Sequence, residues 1–223
     1  MLGPLFVVAT PIGNLDDLTR RAEATLKLVD FIACEDTRRT EKLLHHLGIS
    51  KPLLRYDEHS HGTSSKIIID RLKLGQKGAL VTDAGTPAIS DPGSRLIEAL
   101  VKENISVVPI PGVSSVVTLL SVSGLTSEGF VFLGFLPRKP GPAKRLLQEA
   151  FGLGKNTVIF ESPFRVEKTL TLIEECVPTA RVVLGRELTK LFEEYMRGSP
   201  SEVKNKWTHG QQKGEVVLVI HPE

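Results

Sequence analysis

The sequence predicts an α/β protein made of two small domains, and three observations support this prediction. Short apolar runs alternate with amphipathic stretches of helix length, as in sheets flanked by helices. The apolar runs are continuous rather than alternating, as expected for strands that are buried on both faces. A break at residues 109–112 (PIPG) separates two halves. We therefore predict an N-terminal domain over residues 1–112 with a mostly parallel sheet, and a C-terminal domain over residues 113–223 with a mixed sheet.

Apolar periodicity and turn residues position the elements of the first half. A strand ends at the Thr10-Pro11 turn, and the following stretch places apolar side chains on one helical face. Gly48 and Gly75 are typical of residues at which helices end. The predicted strands are 5–9, 31–34, 79–82 and 105–108, and the predicted helices are 18–28, 40–47, 64–74 and 94–103.

The second half continues the same alternation without an internal repeat. It opens with a helix of small residues over 113–122. The predicted strands are 130–133, 157–160, 181–184 and 216–220, and helices are expected near 143–150 and 165–175.

Composition excludes several classes of protein. With 223 residues, 41% of them apolar, the chain is neither disordered nor collagen-like, and two cysteines form no disulfide framework. Cys34 and Cys176 lie among apolar neighbours, so we expect buried, reduced thiols. We find no signal peptide and no segment long and apolar enough to span a membrane, and we expect a cytoplasmic protein. A net charge of +2 means that any nucleic-acid surface must come from local clusters of cations.

Two segments that follow early strands carry possible chemistry. Residues 10–15 (TPIGNL) form a Pro/Gly turn where ligands bind in open α/β sheets, although a tight strand–helix turn is the alternative. The turn matches neither a dinucleotide fingerprint nor a phosphate loop. Residues 35–39 (EDTRR) place two acids and two arginines at the next strand end. A helix N-cap by Asp36 or Thr37 explains one acid and leaves Glu35 and Arg38 for function.

Two further loops follow later strands. Residues 83–93 (DAGTPAISDPG) combine two prolines, two glycines and two acids, as expected for a rigid loop with exposed backbone N–H groups. The alternative is an irregular loop in which Ser90 or Asp91 caps the next helix. Residues 111–115 (PGVSS) open a helix whose N–H groups and hydroxyls suit a polar ligand, or in which Ser114 is an ordinary cap.

The second half adds charged segments. Residues 136–145 (LPRKPGPAKR) hold four cations and no acid, and we predict an exposed loop that contacts phosphates. A solvated charge run is the alternative. Residues 161–165 (ESPFR) and 185–190 (GRELTK) also follow strands.

We predict no metal site. Asp57, Glu58, His59 and His61 have ligand chemistry, but a polar surface loop explains them better. The adjacent pair His45 and His46 points to different sides of a helix.

The order and spacing of these segments resemble the tetrapyrrole methylase superfamily, in particular its branch that methylates RNA of the small ribosomal subunit. The resemblance spans the whole chain and rests on residues 8–15, 35–38, 83–93, 111–115, 132–137 (FLGFLP) and 161–163. It implies a class III methyltransferase fold with S-adenosyl-L-methionine bound in a cleft between two α/β domains. It also implies a homodimer that methylates the ribose 2′-hydroxyl of a cytidine in the decoding region of 16S rRNA.

The resemblance also implies roles for individual residues. Thr10 and Pro11 should face the acceptor side. The residues expected to bind the donor are Pro11, Asp83, Ala84, Gly85, Thr86, Ile89, Ser114, Ser115, Phe160, Glu161 and Glu187. The residues expected to bind RNA are Arg38, Arg39, Arg138, Lys139, Lys144 and Arg145.

Transfer to a ribose hydroxyl calls for a base. Glu35 or Asp36 is the hypothesis, because both lie at a strand end opposite the donor loop, with Arg38 orienting an RNA phosphate. A Lys190 deprotonated by burial is the rival base.

Two departures from the family pattern matter. Many relatives have a histidine where this chain has Phe164, which excludes a histidine base there. Relatives often continue past the last strand into a helical extension, whereas this sequence ends at Glu223. We therefore expect RNA docking to depend more on residues 138–145 and on the dimer.

Two alternatives keep the same fold. A methyltransferase of a corrin- or sirohaem-type tetrapyrrole is the first, although the basic segment suits a polyanion better than a flat apolar ring. A non-enzymatic nucleotide-binding regulator is the second, because one fold hosts many functions.

Overall fold

A computed structural model describes residues 1–57, 61–208, 210 and 212–222, without the side chain of His61. The chain forms two compact units, Met1–Ser114 (unit 1) and Ser115–Glu223 (unit 2), and each has its own five-stranded sheet. The predicted α/β class is confirmed. The division between the units falls two residues after the predicted boundary.

Unit 1 contains a fully parallel sheet with strand order β3-β2-β4-β1-β5. Its strands are β1 (Leu5–Val8), β2 (Phe31–Cys34), β3 (Leu53–Arg55), β4 (Gly78–Leu80) and β5 (Val107–Ile110). All four residues of β2 are buried, as the continuous apolar run predicts.

Four helices cover the two faces of this sheet. They are α1 (Arg20–Leu28), α2 (Thr37–His46), α3 (His61–Lys73) and α4 (Ser94–Lys102), and a short 3₁₀ turn (Leu15–Asp17) precedes α1. The Thr19 hydroxyl caps α1 by accepting the N–H of Ala22 at 3.1 Å. Two separate apolar clusters pack on opposite faces of the sheet, around Phe31 and around Ile32, because neighbouring strand residues point to opposite sides.

Two predictions for the first half are corrected. The strand expected over 105–108 runs instead from Val107 to Ile110 and includes the exposed Pro109. A proline is tolerated there because β5 is an edge strand, where an N–H can be missing without breaking the ladder. The helix α2 begins three residues earlier than predicted, because Asp36 caps it.

Unit 2 has a mixed sheet with strand order β6-β7-β10-β8-β9. Its strands are β6 (Phe130–Phe135), β7 (Asn156–Glu161), β8 (Arg181–Arg186), β9 (Glu194–Gly198) and β10 (Val216–His221). β6 and β7 are parallel, and β10 runs antiparallel to both β7 and β8. The carboxyl ends of β6, β7 and β8 therefore share one edge of the sheet.

The described residues of unit 2 form four helices. They are α5 (Ser115–Ser123), α6 (Pro140–Phe151), α7 (Val166–Cys176) and α8 (Pro200–Thr208). The apolar core of this unit gathers the inner side chains of the sheet with those of α6, α7 and α8, including the buried Trp207.

Sequence patterns missed β3, β9 and α8. β3 and β9 are edge strands with few buried side chains, so their apolar signal is weak. Both cysteines are free, and Cys34 is buried whereas Cys176 is only partly so. None of the helices in the described part of the chain is both long and apolar enough to cross a membrane.

Candidate active site

Four loops of unit 1 meet at one edge of its sheet. All five strands are parallel, so the loops that follow β1, β2, β4 and β5 leave from the same carboxyl edge. The chain leaves β2 through α2 towards one side of the sheet and leaves β4 through α4 towards the other. Such a divergence is where open α/β sheets bind ligands.

Thr10 joins the first loop to the loop over residues 83–93. The Thr10 N–H donates to the Gly85 carbonyl at 2.9 Å, and the Gly85 N–H returns a bond to Thr10 at 3.0 Å. The Thr10 hydroxyl also donates to the Thr82 carbonyl at 3.1 Å. Thr10, Pro11 and Gly85 therefore form one connected backbone element.

Asp83 connects the same loop to the segment over residues 35–39. One Asp83 oxygen accepts the N–H of Asp36 at 3.2 Å, and the other lies 3.4 Å from Nε of Arg39. Three of the segments singled out in the sequence are thus in direct contact.

The fourth loop lies on the other side of β1. Ala9 donates its N–H to the Ile110 carbonyl at 3.1 Å. A Cβ added to Gly112 would lie 2.9 Å from the Cβ of Ala9, so only glycine permits this close approach. Residues 83–85 and Gly112 therefore flank Ala9 and Thr10 from opposite sides.

The loop over residues 83–93 holds backbone conformations that side chains rarely adopt. Gly85 has φ +81°, and the non-glycine residues Ala88 and Ser90 have φ of 68° and 61°. Each of the two non-glycine residues costs about 1–2 kcal/mol, and such strain clusters at binding sites. This geometry favours a ligand-binding role for the loop.

Glu35 and Asp36 are adjacent but have opposite electrostatic environments. Burial, followed by the negative charges of Asp83 and Asp91, raises the pKa of Glu35. Hydrogen bonds from Arg38 lower the pKa of Asp36 to about 2. A raised pKa makes a carboxylate a better proton acceptor, so this difference favours Glu35 over Asp36 as the base.

Asp36 is the N-cap of α2, so this alternative interpretation is confirmed. Its Oδ1 accepts the backbone N–H of Arg38 at 2.9 Å and the Arg38 Nε–H at 3.1 Å, and its Oδ2 accepts Nη2–H at 2.8 Å. The carboxylate thus has partners within its own segment.

The predicted site residues of unit 2 have partners of a different kind. The Glu161 side chain is 0% exposed, with one oxygen bound to the Thr169 hydroxyl at 2.6 Å and the other to the Ser162 N–H at 2.8 Å. Arg165 lies 3.3 Å from the same carboxylate. The carboxylate of Glu161 is therefore occupied by its own unit.

The Lys190 base hypothesis is corrected. Its ammonium group donates to Glu187 at 2.9 Å and to Glu215 at 3.0 Å. Burial opposes the charge, but these two carboxylates outweigh it and raise the pKa of Lys190. A lysine accepts a proton only as the neutral amine, so contacts that favour its ammonium form disfavour the role. The Glu187 carboxylate accepts a hydrogen bond from Lys190 in the same cluster.

The predicted contacts of Ser115 and Phe160 with the methyl donor stay predictions.

The prediction of an exposed loop over residues 136–145 is wrong in part. Only its beginning is a loop, because α6 starts at Pro140 and carries Lys144 and Arg145. Arg138, Lys139 and Arg145 are exposed, whereas Lys144 lies 3.2 Å from Glu175. Two prolines near the start of a helix fit the first turn, where N–H groups have no helical partner.

One residue at the site was missed in the sequence. Thr82 is 4% exposed, and within the described ranges its hydroxyl has no hydrogen-bond partner. Thr82 follows β4 and directly precedes Asp83, and its own carbonyl accepts the hydrogen bond from the Thr10 hydroxyl. A threonine after an apolar run looks like the end of a strand, so only the missing partner distinguishes it.

Four residues between positions 57 and 61 have the side-chain chemistry of metal ligands. Glu58 and His59 lie outside the described residues. In the ranges that are described, no group of three or more His, Cys, Asp or Glu side chains is arranged to hold a metal ion.

Comparison with known proteins bears on the fold. The family model for Tetrapyrrole (Corrin/Porphyrin) Methylases matches residues 4–204. Among solved structures, cobalt precorrin-4 methyltransferase superposes with a TM-score of 0.71 at 17% identity, covering 97% of this chain and 94% of that one. Diphthine synthase superposes with a TM-score of 0.75 at 14% identity, covering 99% and 90%. These low identities support the fold alone.

Relatives of higher identity share one name, "Ribosomal RNA small subunit methyltransferase I". The protein of Streptococcus pyogenes serotype M3 is 46% identical, with 98% of this chain and 76% of the relative covered. That of Synechocystis is 43% identical, with 98% and 79% covered, and that of Leptospira biflexa is 43% identical, with 98% and 91% covered. The chain therefore belongs to the tetrapyrrole methylase family, and within it to the group that carries this name.

Proposed function

We propose that this protein transfers a methyl group from S-adenosyl-L-methionine to the ribose 2′-hydroxyl of a cytidine in the decoding region of 16S rRNA. The observation that carries the proposal is the contact between the loops after β1, β2 and β4, made by Thr10 with Gly85 and by Asp36 with Asp83, next to Glu35. The names of the relatives support the ribosomal RNA acceptor.

The loop over residues 83–93 suits the methyl donor. Its residues Ala88 and Ser90 hold strained conformations of the kind that cluster at binding sites, and the partnerless hydroxyl of Thr82 directly precedes the loop. We assign the donor contacts of unit 1 to Pro11, Thr82, Ser114 and the loop residues Asp83, Ala84, Gly85, Thr86 and Ile89. When bound, the donor supplies an electrophilic methyl group on a sulfonium centre.

Glu35 accepts the proton of the ribose hydroxyl in this proposal. Burial and the charge of Asp83 raise its pKa, so the carboxylate holds a proton more strongly than an exposed glutamate. The Asp83 carboxylate also fixes the backbone of Asp36 next to it, which keeps Glu35 in place. Alignment of hydroxyl and methyl group supplies much of the remaining rate.

Cations of both units contribute to RNA affinity. Arg138, Lys139 and Arg145 are exposed, whereas Arg38 and Arg39 already have carboxylate partners in Asp36 and Asp83. We expect the first three to carry most phosphate contacts. The homodimer stays a prediction, which sedimentation of the purified protein measures.

Transfer of a tritiated methyl group tests the function. Isolated small subunits and naked 16S rRNA are incubated with labelled donor, and the modified nucleotide is mapped. Label on the ribose of one cytidine supports the proposal, and Glu35→Gln serves as the impaired control. A porphyrinoid is incubated in a parallel reaction. Label on the porphyrinoid but not on RNA would establish the tetrapyrrole alternative, and donor binding without transfer would establish the regulator.

A further inference from the structure

Aromatic side chains gather at the carboxyl ends of β6 and β7. The ring of Phe160 meets the edges of Phe132 and Phe135 at centroid distances of 5.0 and 5.6 Å. Phe135 ends the edge strand β6 and is 56% exposed. An exposed phenylalanine beside two further rings is costly in water, unless a partner covers it.

Phe164 lies on the turn that follows β7, four residues after Phe160, and it is 86% exposed. The turn is closed by the N–H of Arg165, which donates to the Ser162 carbonyl at 2.8 Å. The Arg165 guanidinium then donates to the carbonyls of Leu136 and Pro137 at 2.9 and 3.3 Å. The exposed ring is therefore attached to a rigid backbone, tied to the residues that follow Phe135.

Cations adjoin these rings. Arg138 and Lys139 come directly after the segment that Arg165 holds, and both are exposed. In the part of the chain that the structure describes, neither has an acidic partner. Exposed rings next to cations without partners are the combination that binds single-stranded nucleic acid, because bases stack on rings while cations contact phosphates.

We infer that Phe164 and Phe135 form a stacking platform for unpaired bases of the RNA substrate, with Arg138 and Lys139 on the adjoining phosphates. This inference rests on the proposed function, since it assigns a role towards the same RNA. A second copy of the chain is the competing occupant. If this patch lay on the twofold axis of a dimer, Arg138 and Lys139 of both copies would come together, which like charges oppose.

Binding of a short single-stranded RNA without methyl donor tests the platform. Phe164→Ala should weaken binding roughly 5- to 150-fold, the loss expected for one stacked base, and leave the salt dependence unchanged. Replacing Arg138 and Lys139 by glutamine should instead flatten the salt dependence. Phe130→Ala is the matched control. Phe130 is 45% exposed and lies at the start of β6, at the opposite end of that strand from Phe135.

An abasic RNA of equal length separates stacking from phosphate contact. The wild type and Phe164→Ala should bind this RNA equally, because it offers no base to stack. Phe164→Trp should bind the normal RNA with an affinity near that of the wild type. The fluorescence of the new tryptophan should be quenched by the normal RNA and not by the abasic RNA. The natural Trp207 is buried and gives a constant background.

Two results would overturn the platform. One is equal affinity of the wild type and Phe164→Ala for the normal RNA at an unchanged melting temperature. The other is a smaller particle mass for Phe164→Ala, which would assign the patch to a dimer. Methylation of small subunits is measured separately on the wild type, and its absence would refute the proposed function whatever the oligonucleotides show.

Discussion

The carboxyl edges of the two sheets carry similar charged residues, but these residues have different electrostatic partners. In unit 2, Glu161 is bound by Thr169, Ser162 and Arg165, and Lys190 lies between two carboxylates. In unit 1, Glu35 is partly buried near the acids Asp83 and Asp91, which raise its pKa.

This contrast teaches that a charge at a strand end does not identify a catalytic group. What matters is whether the charge is compensated inside its own unit. Glu161 is compensated by partners in its own unit, whereas Glu35 lies in an environment that raises its pKa, which is why we propose Glu35 and not Glu161 as a catalytic group.

Replacing Glu35 by glutamine should give the largest effect on activity. Loss of a general base lowers rates about 10²- to 10⁴-fold, measured as single-turnover methyl transfer at saturating donor. Ionisation of a carboxylate with a raised pKa opposes folding at neutral pH, so the melting temperature should stay equal or rise. The asparagine variant of Asp36 is the neighbouring control, and its rate should fall much less. Full activity in Glu35→Gln would end the carboxylate-base hypothesis.

Replacing Glu161 by glutamine should have the opposite signature. One oxygen that accepts a buried hydrogen bond becomes an NH₂ group, and Arg165 loses its anion. We expect a loss of about 2–3 kcal/mol in the free energy of unfolding, measured by denaturant titration. The rate per folded molecule should remain near that of the wild type. A large fall in rate without a change in stability would show that Glu161 has a functional role after all.

Neutralising cations should distinguish those with acidic partners from those without. Arg138→Gln and Lys139→Gln should each reduce the slope of log affinity against log salt by about 0.7 on single-stranded RNA. Lys144→Gln is the matched control, because Lys144 already contacts Glu175 at 3.2 Å and its loss should change the slope less. Affinity for the donor should be unaffected in all three. Equal slopes for all variants would remove the basic segment from the RNA contacts.

Asp83→Asn should shift the pH profile of methyl transfer. The base acts when deprotonated, so the rate rises with pH through the pKa of Glu35 and then levels off. Asp83 is the largest of the charges that raise this pKa, and removing it should move the inflection to lower pH. Asp91→Asn should produce a smaller shift in the same direction. An inflection that moves upward, or not at all, would assign the profile to another group.

The smallest effect is expected for Lys190→Arg. Arginine keeps the positive charge between Glu187 and Glu215 but cannot act as a base. Both rate and melting temperature should therefore remain close to the wild-type values. A rate loss comparable to that of Glu35→Gln would restore Lys190 as the base.

Much of the fold can be predicted from the sequence, because its signals are local. The strand at residues 31–34 and the start of α4 at Ser94 follow from apolar runs and turn residues within a few positions. Edge strands such as β3 are not predicted in this way, because they have few buried side chains and therefore a weak apolar pattern. Pro109 predicts a break in the sequence, because only the sheet order shows that it lies in an edge strand that tolerates a proline.

The sequence by itself determined the α/β architecture and the strand ends at which charged residues gather, because periodicity and turn residues act over short distances along the chain. Only the tertiary structure decided which charge is compensated. Asp83 contacts Asp36 across 47 positions and Lys190 contacts Glu215 across 25. Electrostatic environment depends on separation in space, and folding brings together residues whose spacing in the sequence gives no sign of it.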